Sequence, residues 1–162
     1  MGDNGCHGGD SSIAYDWIHK NNITDETCSP YQALGHNTGL GCSSMVKCKN
    51  CAHNGTCWVQ ERAKIYGVEE FGDISGEYNM MNEIYQRGPI SCGISATDEL
   101  VNYTGGIFID TTGATDFNHE VSVLGWGEEN GTKYWIARNS WGSYWGEGGF
   151  FRIIRGVMNL AI

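Results

Sequence analysis

The sequence predicts an α+β fold in which a small helical, disulfide-rich part precedes a β-rich part. Three observations predict it. Two stretches carry helical periodicity, at 10–20 and 76–89. Five of the seven cysteines fall between positions 28 and 57. From residue 89 onward, short apolar runs rich in β-branched and aromatic residues follow one another between turn signals.

The elements follow in order. "DSSIAYDWIHK" places Ile13, Ala14, Trp17 and Ile18 at i, i+4 spacing, one face of a helix. Asp10 or Ser11 can cap its start, and the "NN" after Lys20 can end it. Between 28 and 57 no period holds, and Cys, Gly, Asn and Ser dominate, so a stapled loop is expected. "AKIYGVEEFGDI" (63–74) contains short β-like pieces. "GEYNMMNEIYQRGP" (76–89) predicts a second helix, with Tyr78, Met81, Ile84 and Tyr85 on one face and Gly88-Pro89 as its stop. Strands are expected in "PISCGISA" (89–96), "GGIFID" (105–110), "HEVSVLGW" (119–126), "KYWIARNS" (133–140) and "GGFFRII" (148–154). "EENGTK" (128–133) supplies the Asn-Gly turn of a hairpin. There is no internal repeat or low-complexity linker. The natural division is 1–62 for the helical part and 63–162 for the β-rich part.

Composition excludes several classes. With 40% hydrophobic and 18% charged residues, the 162-residue chain is too apolar to be disordered. No apolar run approaches the roughly 18 residues of a membrane span. A net charge of −9 without a basic cluster argues against nucleic acid as a partner. Seven cysteines, with N-x-[ST] sequons at Asn22, Asn54, Asn102 and Asn130, suit an oxidising, secretory route. The opening "MGDNGCHGGD" has neither the basic nor the apolar region of a leader. Together with the odd cysteine count, this gives the expectation that the beginning of the protein lies upstream of Met1.

Candidate chemistry sits in three places. Cys42, Cys48, Cys51 and Cys57 with His53 have donors for a tetrahedral zinc site, but the secretory composition favours disulfides. The second place is "NHEVSVLGWG" (118–127), which sets an ionisable histidine at the head of a buried-looking strand. Alternation puts His119, Val121 and Val123 on one face. A lone histidine there would be a half-buried structural residue. The hairpin turn at 128–133, however, brings "ARNSWG" alongside, with Asn139 at the end far from the turn and near His119. A carboxamide oxygen bonded to one imidazole nitrogen fixes the ring and leaves the other nitrogen for a proton. Trp141 could cover the pair from water. The third place is "GCHGG" (5–9), where Gly8 and Gly9 expose backbone suited to pairing with an extended peptide. Cys6 beside His7 invites a nucleophile reading, which is set aside because sequence neighbours rarely face each other.

"NGCHGG", "GPISCGISA", "NYTGGIF", "NHEVSVLGWG", "KYWIARNSWGSYWGEGGFFRI" and "MNLAI" together resemble the papain-like cysteine peptidases, in order and spacing, over nearly the whole chain. The resemblance implies that His119 is the catalytic base, Asn139 its orienting residue and Trp141 the shield of their hydrogen bond. It implies that Gly8 and Gly9 pair with substrate backbone and that Asn118 lies where backbone lines the groove. It further implies a peptide or protein substrate, no cofactor, no bound metal, no membrane or nucleic-acid partner, and a lysosomal or secreted location. The family's C-G-S-C-W-like nucleophile stretch and oxyanion glutamine have no match here. The chain is therefore expected to be a C-terminal portion, with the helical lobe as a remnant, inactive by itself, its cleft left to a dimer, a swapped partner or a separate N-terminal segment to cover. The resemblance pairs Cys28 with Cys48 and Cys51 with Cys57, and leaves Cys6, Cys42 and Cys92 with partners outside the chain. The alternative is a non-catalytic, peptide-binding relic of the family.

Overall fold

A computed structural model of the chain describes residues 8–32, 39, 41 and 43–162. They form two compact units that divide between Asp73 and Ile74.

The first unit opens with helix α1, Ser11–Asn21. The Asp10 side chain accepts the Ser12 and Ile13 N–H groups at 2.8 and 3.2 Å, and Asn22 ends the helix at φ 56°. Both ends lie where the capping residues predict them. Strand β1 (Ile23–Thr24) pairs antiparallel with β4 (Ile65–Tyr66). Residues 63–73, expected with the β-rich part, therefore group with the first unit. The segment expected to be a stapled loop is more regular than its composition suggests. It holds a helical turn, α2 (Ser44–Lys47), capped by Ser43, and a hairpin of β2 (Lys49–Cys51) and β3 (Cys57–Val59). Two disulfides, Cys28–Cys48 and Cys51–Cys57, tie it together. The second joins directly opposed residues of the hairpin, so register and covalent bond agree. Each small loop closed this way removes roughly 2–3 kcal/mol of unfolded-chain entropy.

The second unit begins with α3, Glu77–Arg87, ended by Gly88 at φ 98°. Then come β5 (Ile90–Ile94), the short helix α4 (Asp98–Val101) capped by Thr97, β6 (Ile107–Phe108), β7 (His119–Glu129), β8 (Thr132–Arg138) and β9 (Phe150–Ile154). They make one five-stranded sheet in the order β5-β7-β8-β9-β6, parallel only between β6 and β9. The core is Ile94, Val121, Val123, Trp135, Ala137, Phe151 and Ile153 from the sheet, with Ile84 from α3 and Leu100 from α4.

The buried face of α3 differs from the expected one. Met81 and Ile84 pack inward with Met80, whereas Tyr78 and Tyr85 are 79% and 78% exposed. The reason lies at Glu77, one turn before Met81 and two before Ile84. Its carboxylate pairs with Arg155, whose side chain is 6% exposed, and this turns the 77/80/81/84 stripe toward the sheet. Arg155 also stands 5.4 Å from the Trp135 ring centroid. A second arginine, Arg152, bridges Glu147 (2.8 Å) and Glu129 (2.5 Å), and Glu147 also accepts the Gly106 N–H at 2.9 Å. Hydrogen bonding from Arg152 is the largest cause holding the Glu147 carboxyl below its ordinary range.

Replacing Glu77 with Ala strands the buried Arg155 charge, so urea denaturation should report a loss of about 3 kcal/mol, against a few tenths for Glu83→Ala, whose partner Arg87 is exposed. Glu147 titrates lower in the folded than in the unfolded state, so its contribution is complete above the ordinary carboxylate range and fades as pH falls through the depressed value. Melting curves of the wild type and Glu147→Gln should therefore differ at neutral pH and converge on acidification.

Candidate active site

The site is built at the β5-side end of the β7–β8 hairpin. At its tip, Asn130 (φ 52°) and Gly131 (φ 80°) form the two-residue turn that "NG" predicts. From there Glu129 opposes Thr132, Trp126 opposes Trp135 and Gly125 opposes Ile136. The register then slips: Val123 opposes Ala137 and Ser122 opposes Arg138, leaving Leu124 as the extra residue of a β-bulge.

This bulge decides the site. Without it Asn139 would come level with Ser122, on the opposite face from His119, because strand faces alternate with period two. With it, Asn139 follows the parity of Val121 and His119 and joins the core face. Asn139 leaves the ladder there, its N–H bonding to Gly149 O at 2.9 Å, and its side chain is 7% exposed.

His119 Nε2 lies 2.8 Å from Asn139 Oδ1. The same oxygen accepts the Ser140 N–H at 2.8 Å, which identifies it as the carbonyl end of the amide. Nε2 must then donate, so in the neutral ring Nδ1 is the basic nitrogen. Trp141 stacks on the imidazole with centroids 4.8 Å apart and planes 25° apart. Trp145 meets Trp141 edge-on at 5.1 Å and is itself anchored through Nε1 to Val101 O at 2.9 Å. Asn118 fixes the approach to His119. Its N–H donates to Ile94 O, and its carboxamide accepts the Ala96 N–H at 2.7 Å and donates to Ala96 O at 3.3 Å, adding one rung to the β5–β7 ladder. The Asn118 side chain, expected to lie where backbone lines a groove, is thus occupied in holding the strand.

Among the described residues the free thiol is Cys92, opposite Val121 on β5. Burial, and then the Glu120 charge, push it up to about 11, the reverse of what an attacking sulfur needs. Cys48, Cys51 and Cys57 are consumed in disulfides, which overturns the zinc alternative. Cys6, His7 and Cys42 lie outside the described residues. Gly8 (φ 111°) and Gly9 are exposed coil leading into α1, in the other unit, and a Cβ at Gly8 would meet nothing within 4 Å. Sequence reasoning set His119, Asn139 and Trp141 side by side, and the structure places them in contact. That reasoning missed the bulge, although Gly125 inside an otherwise regular strand was the available signal.

An imidazole held by a carboxamide and stacked against an indole is the arrangement at this end of the hairpin, and the comparisons give the class. The profile described as papain family cysteine protease matches residues 1–162. The chain belongs to the papain family of cysteine proteases. Within it, the chain is 44% identical over 151 residues to Cathepsin Z of Onchocerca volvulus, covering 92% of this chain and 47% of that protein. It is 36% identical over 157 residues to fruit bromelain of Ananas comosus, covering 94% of this chain and 39% of that one. Digestive procathepsin L 3 of Tenebrio molitor superposes with a TM-score of 0.77 at 34% identity, covering 99% of this chain and 48% of that chain. This chain spans about half the length of the curated relatives it matches.

Asn139→Ala removes the acceptor that fixes the His119 ring while leaving the register intact. Nitrogen-15 NMR of the imidazole should then show a tautomer mixture in place of a dominant Nε2–H form. Leu124→Ala, which keeps the extra residue, and deletion of Leu124, which leaves Val123 opposite Ala137, should both retain the Nε2–H signature.

Proposed function

We propose that this chain is the base-bearing portion of a papain-family, cathepsin Z-like cysteine peptidase, and that residues outside these 162 supply the attacking sulfur. The observation that carries the proposal is the His119–Asn139 hydrogen bond under the Trp141 ring, which leaves Nδ1 as the proton acceptor. In such a site a thiolate forms beside the imidazolium and attacks the peptide carbonyl. The imidazolium at His119 protonates the leaving amine, and water then releases the acyl group from sulfur. Asn139 keeps the ring from rotating as its charge changes, and Trp141 excludes water from the bond that does so.

Two further observations support an incomplete site. The Cys92 thiol is held protonated by burial. The Asn139 Nδ2 is buried with no hydrogen-bond partner among the described residues, a donor that an added segment or a water can satisfy. The two disulfides fit a lysosomal or secreted protein, with a peptide or protein as substrate.

The chain by itself should leave a fluorogenic dipeptide substrate intact. Fused to the part of the Onchocerca volvulus relative that it does not cover, it should hydrolyse the same substrate, be stopped by thiol blockers, and lose several orders of magnitude in rate on His119→Ala. Thiol-sensitive turnover by the chain alone would overturn the missing-sulfur proposal. A folded but inert fusion would instead favour the peptide-binding relic.

A further inference from the structure

Four sequons run through the chain, and nothing in the peptidase chemistry uses them. Their surroundings differ. Asn22 closes α1 and packs so tightly on Gly67 that a Cβ there would fall 2.5 Å from its Oδ1. Asn54 sits inside the six-residue span closed by Cys51–Cys57, with its Oδ1 taken by the Thr56 N–H at 3.0 Å. The Asn102 Nδ2 already donates to Asp98 O at 2.8 Å. Asn130 is different. It is exposed at the tip of the β7–β8 hairpin, it holds φ 52°, and a Cβ at the adjoining Gly131 would meet nothing within 4 Å.

We infer that Asn130 is an N-glycosylation site, its carboxamide taking an oligosaccharide at the open tip of the hairpin. In the transfer, Asn130 Nδ2 forms a C–N bond to the anomeric carbon of a lipid-linked oligosaccharide. The anomeric C–O bond to the lipid diphosphate breaks, and the amide loses one proton to the transferase's base. The two disulfides place the chain where such donors are found, independently of any peptidase role. Asn-Gly in a type I′ turn suits the modification, because both residues already hold the positive φ the hairpin needs and no ladder hydrogen bond is lost. The sugar would stand roughly 30 Å from His119, at the other end of an 11-residue strand, so it would leave the catalytic end open.

The test expresses the full chain behind a secretory leader in insect cells. The secreted protein is digested with peptide N-glycosidase F in oxygen-18 water, with a parallel sample lacking the enzyme. Mass spectrometry should find enzyme-dependent labelled aspartate at position 130. Asn130→Gln should run faster by one glycan on a gel while keeping the Nε2–H signature of His119. An unlabelled position 130 overturns the inference, whether the other sequons are occupied or not. So does label of equal extent without the enzyme, which reports deamidation of the Asn-Gly pair.

Discussion

One unpaired residue in a strand governs the chemistry of this chain. A β-hairpin with a strict two-residue turn fixes which side chains share a face for its whole length, and here the turn alone would separate His119 from Asn139. The bulge at Leu124 adds one residue to β7 and reverses the parity beyond it. Below the bulge, Trp126 and Trp135 sit opposite each other against the core. Above it, Val123 and Ala137 take over, both fully buried. The apolar alternation therefore continues on both strands while the polar pair at their end is brought into register. Core packing and site geometry impose the same slip, so neither is sacrificed to the other.

Two arginine-centred charge pairs tie the sheet to its neighbours. Arg155, nearly buried behind β8, joins Glu77 of α3 and stands by Trp135. Arg152 on β9 reaches Glu129 at the turn end of β7 and Glu147 in the loop that carries Trp145. That loop in turn sets the indole that meets Trp141. Removing Glu77 would cost more than the pair's net worth, because the nearly buried Arg155 guanidinium would lose that anion, whereas Arg152 would keep one of its two carboxylates.

The direction of the His119 tautomer follows from ordinary hydrogen-bond accounting. A single oxygen, Asn139 Oδ1, receives both the Ser140 amide and the imidazole, so the ring nitrogen facing it must carry hydrogen. The opposite nitrogen is thereby the basic one, and the stacked indole leaves the ring with one orientation. The same residue's Nδ2 has no acceptor among the described residues. Half of the carboxamide is thus committed to the histidine.

Much of this protein is set by sequence alone, because the deciding forces are local. Asp10 caps α1 and Gly88 closes α3 through the first-turn and positive-φ preferences of those residues. Asn130-Gly131 makes the hairpin turn for the same reason, and the strands occupy the apolar runs that announce them. The motifs were enough to name His119, Asn139 and Trp141 and, by resemblance, the two disulfides. What needed tertiary structure is everything that depends on a distant partner. Tyr78 and Tyr85 look like core from their spacing, yet Glu77 turns the helix about its axis to reach Arg155, 78 residues away. Ile65 and Tyr66 join the first unit because their strand partner is Ile23–Thr24. The bulge at Leu124 is likewise invisible to a period count, since it arises only when two strands must satisfy one core.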